Sequence, residues 1–136
     1  MEENEDKVKQ VIVVRADLKM RRGKEIAQGS HASVSFLSHA YRTGKQVNGA
    51  TREVFLTPEQ QEWLYSGRFT KICVKVNSEA ELDEIYAQAK ACGLTVHLII
   101  DAGLTEFDGV PTKTCLAIGP HFSSKIDPIT GSLKLY

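Results

Sequence analysis

Residues 17–36 read DLKMRRGKEIAQGSHASVSF, a stretch crowded with groups that bind anions or move protons. Lys19, Arg21, Arg22 and Lys24 fall within six positions, where a helical pattern begins. A helix N-terminus carries partial positive charge, so a cation there costs a few tenths of a kcal/mol, up to about 1. An anion held on the free N–H groups of that turn would reverse the penalty. Lys24, Gln28 and His31 continue at helical spacing with Ser35, Ser38 and Arg42, so a cation, an amide and an imidazole share one face. That face has no acid, and Ala27, Gly29, Ser30 and Ala32 leave room for something to approach it closely. Plain solvent exposure accounts for the same pattern. The neighbouring stripe, Ile26, Ser30, Ser33, Val34, Leu37 and Tyr41, is mostly apolar and predicts packing of that side on a sheet.

The elements that must position these residues follow from pattern. VIVV (11–14) is a continuous β-branched run, the mark of a buried strand of the parallel kind. A loop over 16–22 leads into a helix that starts after Gly23, runs to about Thr43 and stops near Gly44. LTPEQQEWLYSG (56–67) predicts a second helix, with Thr57 as cap, Pro58 in first position, Gln60 closing a capping box and Gly67 as terminator. KICVKV (71–76) alternates like a strand, and 77–93 predicts a helix capped by Asn77 or Ser78 and ended by Gly93. TVHLII (95–100) and TCLAIG (114–119) predict two more strands, the second ended by Gly119-Pro120. The last segment, SSKIDPITGSLKLY, reads as turn-rich with room for a short strand. Strands alternating with helices predict one α/β domain over 11–136, a sheet with helices on both faces, after a flexible tail over 1–10. In such sheets ligands bind beyond the carboxyl ends of strands, here RADLKMRRGK and DAGLT (101–105).

Composition narrows the function classes. The 136 residues suffice for one domain, with 17 basic and 17 acidic side chains, so this is no globally basic nucleic-acid binder. The charge is nevertheless uneven: Arg15 to Lys24 holds five cations against Asp17 alone, while EAELDE (79–84) is acidic. A positive patch on a neutral body suits an anionic macromolecule, and equally a solvated loop. No apolar run approaches the roughly 20 residues of a membrane span, and the acidic start MEENEDKVKQ lacks an apolar signal region, so the expected location is the cytoplasm. Cys73, Cys92 and Cys115 have no C-x-x-C spacing, which argues against a disulfide framework or structural zinc; each is expected to fill space in or near a core. Gly23-Lys24 is followed by Glu25 and has Leu18 where a P-loop needs glycine. A dinucleotide fingerprint, a G-x-S-x-G elbow and metal-ligand histidine spacing are missing too. His97 reads as structural, and His39 and His121 as surface residues.

VVRADLKMRRGKEIAQGSHASV, then DAGLT, KTCLAIGP and IDPITGSLKLY, resembles in order and spacing the signature of the type 2 peptidyl-tRNA hydrolase family, from Val11 to Tyr136. The resemblance implies a mixed, roughly four-stranded sheet flanked by helices, a homodimer, and hydrolysis of the ester joining a peptide to tRNA without metal or cofactor. By resemblance the catalytic residues are Lys24, Asp101 and Thr105, with Gln28, His31 and Thr114 in or beside the pocket. Lys19, Arg21 and Arg22 are then expected to contact phosphates. The family commonly has Arg and Gln where this chain has Leu104 and Glu106, and Asp108 adds a further charge. That departure keeps two other readings in view: an RNA- or protein-binding module, and a hydrolase of a different small ester or amide.

Overall fold

The structure is a computed structural model, described for residues 6–66, 68–104 and 106–136. Among the described residues, six strands and four helices follow in the order β1 (Val8–Arg15), α1 (Arg22–Thr43), β2 (Lys45–Asn48), β3 (Thr51–Glu53), α2 (Pro58–Tyr65), β4 (Lys71–Val76), α3 (Glu79–Ala91), β5 (Val96–Asp101), β6 (Thr112–Phe122) and α4 (Ser123–Thr130). A 3-10 turn over Ala16–Leu18 links β1 to α1. The main sheet has the order β4-β1-β6-β5, with β4 parallel to β1 and β6 antiparallel to both β1 and β5. This is the expected mixed four-stranded α/β sheet. The carboxyl ends of β1, β4 and β5 therefore lie along one edge of the sheet.

Alternation along β1 explains the two layers. Val11 and Val13 point to one face, where they join Leu82, Ile85, Leu116, Ile118, Ile126 and Ile129 in the larger core under α3 and α4. Ile12 and Val14 point to the other, with Met20, Ala32, Cys115 and Ala117 under α1. Both faces of β1 are covered, which is why VIVV is apolar without interruption. Fully burying each of the larger aliphatic side chains contributes about 1.5–3 kcal/mol.

Local signals set several boundaries. Thr57 and Gln60 form the expected capping box, with Gln60 N–H donating to Thr57 Oγ1 at 3.2 Å and Thr57 N–H to Gln60 Oε1 at 3.0 Å. Ser78, rather than Asn77, caps α3 by accepting from the N–H of Glu81. Gly67, the expected terminator of α2, lies outside the described residues.

Other expectations are corrected. β1 starts at Val8, so the predicted tail over 1–10 overlaps the strand; residues 1–5 lie outside the described ones. β6 runs on through Gly119-Pro120 to Phe122 instead of ending there. The segment read as turns after it contains α4, which buries Ile126, Ile129 and Thr130 at helical spacing and tolerates Pro128. Leu135 makes an isolated bridge to Val74, and Tyr136 N–H donates to Cys73 O at 3.1 Å, so the chain's end covers part of the open edge of β4. Cys73 and Cys92 are exposed, and only Cys115 fills a core position. His121 is half-buried in β6, its Nε2 3.8 Å from Glu59, rather than a surface residue.

The largest correction concerns α1. Its buried residues are Gln28, Ala32 and Phe36, while Ile26 and Val34 of the stripe expected to face the sheet are 64% and 51% exposed. The row at i, i+4 from Lys24 packs inward instead. The reason is the small side chains of Cys115 and Ala117, which bring α1 close to the sheet and leave Gln28 facing polar groups there. Gln10 and Ser33 lock the same approach: Gln10 Nε2 donates to Ser33 O at 3.0 Å, and Ser33 Oγ donates to Gln10 Oε1 at 2.6 Å.

Candidate active site

The first turn of α1 meets the end of β5. Lys24 Nζ donates to Asp101 Oδ1 at 2.9 Å, with both side chains largely withdrawn from solvent, 16% and 14% exposed. Gln28, one turn further, donates through Nε2 to the same oxygen at 3.3 Å. Gly103 N–H donates to Asp101 Oδ2 at 2.8 Å, a tight turn in which Gly103 has φ +83. A Cβ at Gly103 would lie 2.2 Å from Val110 O, so only glycine fits there. These donors, Lys24 foremost, hold the Asp101 carboxyl below its ordinary value against the opposing effect of burial.

Asp101 thus supplies the anion that the start of α1 called for. The cation placed against the helix dipole is matched across the cleft by a carboxylate of the same chain. Lys24 also lies 5.8 Å from the ring centroid of Phe107, whose ring packs partly buried against the α1-side core.

A second layer fixes Gln28. Thr114 Oγ1 donates to Gln28 Oε1 at 2.5 Å, and Cys115 Sγ donates to Gln28 O at 3.3 Å. Thr114 is the extra residue of a bulge: β5 and β6 pair Ile99 with Cys115, then Ile100 with Lys113. The bulge interrupts the alternation of β6, and two successive residues both reach Gln28. Burial pushes the Cys115 thiol up to about 11, so it is an inert packing group. Arg15 anchors the strand ends by donating through Nη1 to Lys113 O at 3.1 Å while Nε and Nη2 grip Asp17 at 3.2 and 2.7 Å.

Of the residues expected at the site, Lys24, Asp101, Gln28 and Thr114 form one connected chain of hydrogen bonds. His31 is exposed on α1, outside that chain. Lys19, Arg21 and Arg22 are exposed around the entry to α1, Lys19 in the left-handed conformation with φ 53. Thr105 lies outside the described residues. Glu106 was marked in the sequence as a departure from the family pattern, without its partner Arg21; Gly103 and Phe107 were passed over, the Asp-Ala-Gly turn being the available signal for the first and nothing local marking the second.

Asp101, Lys24, Gln28 and a nearby backbone N–H can orient a water and stabilise negative charge on a carbonyl oxygen. A sequence description of the family "Peptidyl-tRNA hydrolase PTH2" matches residues 8–136. A peptidyl-tRNA hydrolase of Methanocaldococcus jannaschii is 43% identical over 128 residues, covering 94% of this chain and 99% of that protein. One of Staphylothermus marinus is 46% identical over 93% of both chains. The mitochondrial peptidyl-tRNA hydrolase 2 of Homo sapiens is 44% identical over 94% of this chain, which spans 64% of that longer protein. With the fold, the Lys24–Asp101 pair and a match over nearly the whole length in agreement, the chain belongs to the peptidyl-tRNA hydrolase PTH2 family.

Proposed function

We propose that this chain hydrolyses the ester between a peptide and the terminal ribose of tRNA, using Lys24 and Asp101 as its catalytic pair. Family membership supports the reaction, and the 2.9 Å contact between the two side chains, half-buried at the carboxyl end of β5, carries the assignment. Asp101, ionised because three donors hold it so, orients the attacking water and relays its proton. As the water oxygen bonds to the carbonyl carbon, Lys24 stabilises the charge on the carbonyl oxygen. The ester C–O bond then breaks, and the proton taken from water ends on the departing ribose oxygen. Gln28, itself held by Thr114, keeps Asp101 in place.

Thr105 is proposed to hydrogen-bond the water or Asp101, and His31 to contact the peptide or the terminal nucleoside. Lys19, Arg21 and Arg22 are proposed to meet phosphates, placing tRNA without reading its sequence. An intact acid–cation pair gives no support to the alternative of a non-catalytic binding module. A homodimer in the cytoplasm completes the proposal. The apolar groove lined by Ile26, Val34, Leu37, Trp63, Phe69 and Tyr136 supports association, because monomers rarely expose such patches. Sedimentation equilibrium and cell fractionation test these two points. Among the described residues, no helix is long and apolar enough to cross a membrane.

The deciding experiment is hydrolysis of an N-blocked aminoacyl-tRNA by the wild-type chain between about 50 and 200 mM salt. Turnover that weakens steeply with salt is expected if phosphates are contacted. Turnover of a small ester alone, flat with salt, contradicts the proposal.

A further inference from the structure

The cations at the entry to α1 are not equivalent. Lys19 and Arg22 are exposed and pair with no carboxylate among the described residues. Arg21 is different. Its Nε lies 3.6 Å from Glu106 Oε1, and its backbone N–H donates to Glu106 Oε2 at 3.5 Å. The two partners are unequal: the Arg21 side chain is 86% exposed, while that of Glu106 is only 17% exposed. Glu106 stands on the β5–β6 loop next to Phe107, whose ring packs partly buried against the core and 5.8 Å from Lys24 Nζ. Arg21 stands at the cap position of α1, three residues before Lys24. The pair therefore links the two sides of the cleft, joining a largely buried anion to an exposed cation.

We propose that Glu106 is an internal competitor for substrate phosphate: it holds Arg21 in the free enzyme and yields it to the tRNA backbone on binding, so that Glu106 sets the affinity for tRNA. This rests on the functional reading above and assigns a specificity role to a residue outside the catalytic chain. An arginine held at 3.6 Å by a largely buried carboxylate has part of its attraction already satisfied. A phosphate then gains only the difference between the two partners. Asp108 lies two residues away on the same loop, exposed and in no ion pair with Arg21, and so provides the control. It carries the same charge without the contact, and its positive φ of 52 suits asparagine equally well.

The test compares Glu106→Gln, Asp108→Asn, Arg21→Ala and the double variant Arg21→Ala/Glu106→Gln. KM for an N-blocked aminoacyl-tRNA and the Kd for deacylated tRNA are measured at about 50 and 200 mM salt. Glu106→Gln is expected to tighten both about two- to fivefold at the lower salt, the size of an exposed ion pair. Asp108→Asn is expected to do clearly less, and the double variant to lose the gain. Glu106→Ala repeats the comparison with no side-chain oxygen left to hold Arg21. An equal gain from Asp108→Asn, a gain that survives removal of Arg21, or no gain at all overturns the proposal. A wild-type chain that binds tRNA but leaves peptidyl-tRNA uncleaved defeats the functional reading instead, and the competition is then judged on the Kd values alone.

Discussion

On the α3–α4 side of the sheet, Leu82, Ile85, Leu116, Ile118 and Ile126 close around one another, all apolar and nearly all fully buried. On the α1 side, Gln28, Thr114 and Cys115 share the interior with Ala32 and Ala117, and the hydrogen-bonded chain ends on Asp101 and Lys24. One face is filled with large side chains that need no direction. The other sets the small side chains of Ala32, Cys115 and Ala117 among Ile12, Val14 and Met20, so that a helix carrying a lysine and an amide can approach a strand end carrying a carboxylate. The difference separates stability from chemistry: the first face holds the fold, and the second spends packing on orientation. Buried polar groups are costly without partners, yet among the described residues no buried side-chain N or O atom lacks one.

This contrast predicts effects of different kind and size. Removing the carboxylate with Asp101→Ala is expected to lower kcat for peptidyl-tRNA by about 10²–10⁴ with the fold retained, as judged by circular dichroism. Leu82→Ala on the opposite face is expected to cost about 2–5 kcal/mol in urea unfolding and to leave kcat of the folded protein unchanged. A Leu82→Ala variant with normal stability, or one that is folded but slow, would erase the division between the faces. Gln28→Ala belongs to both categories. It strands the Thr114 hydroxyl and removes a donor from Asp101, so a loss of about 1–3 kcal/mol should accompany a kcat loss smaller than that of Asp101→Ala.

The smallest effect is in pH. Asp101 titrates below its ordinary value in the folded state, so its contribution to stability is present above that ordinary value and fades as pH falls through the lowered one. No acid limb due to Asp101 is therefore expected in kcat/KM between about pH 5 and 7. A limb near pH 6 that disappears in Asp101→Asn would show that the carboxylate is not held by Lys24.

The sheet, the helices α1, α2 and α3 and the caps of α2 and α3 were legible, because β-branched runs, Thr57-Pro58 and Ser78 are local signals. The hairpin of β2 and β3 was passed over, although Asn48-Gly49 marks its turn. α4 was hidden because Pro128 reads as a breaker, whereas the packing of Ile126 and Ile129 overrides it. The inward face of α1 was misread for a physical reason. Hydrophobic periodicity assigns burial by apolarity, but here the space is set by Cys115 and Ala117 across from it, far away in sequence. Lys24, Gln28 and His31 stood out by helical spacing, while Asp101, Thr105, Thr114 and the roles came from resemblance. Their geometry did not, since the bulge at Thr114 and the reach from Arg21 to Glu106 are long-range relations that no local pattern encodes.

The central claim is that Lys24 and Asp101 act as one unit, and a double-mutant cycle tests it most directly. Single-turnover cleavage of N-blocked aminoacyl-tRNA is measured for wild type, Lys24→Ala, Asp101→Ala and the double variant. Each single change is expected to slow cleavage by about a hundredfold or more, and the double to be hardly slower than either. Losses that simply add, or either folded single variant cleaving at the wild-type rate, would contradict the account.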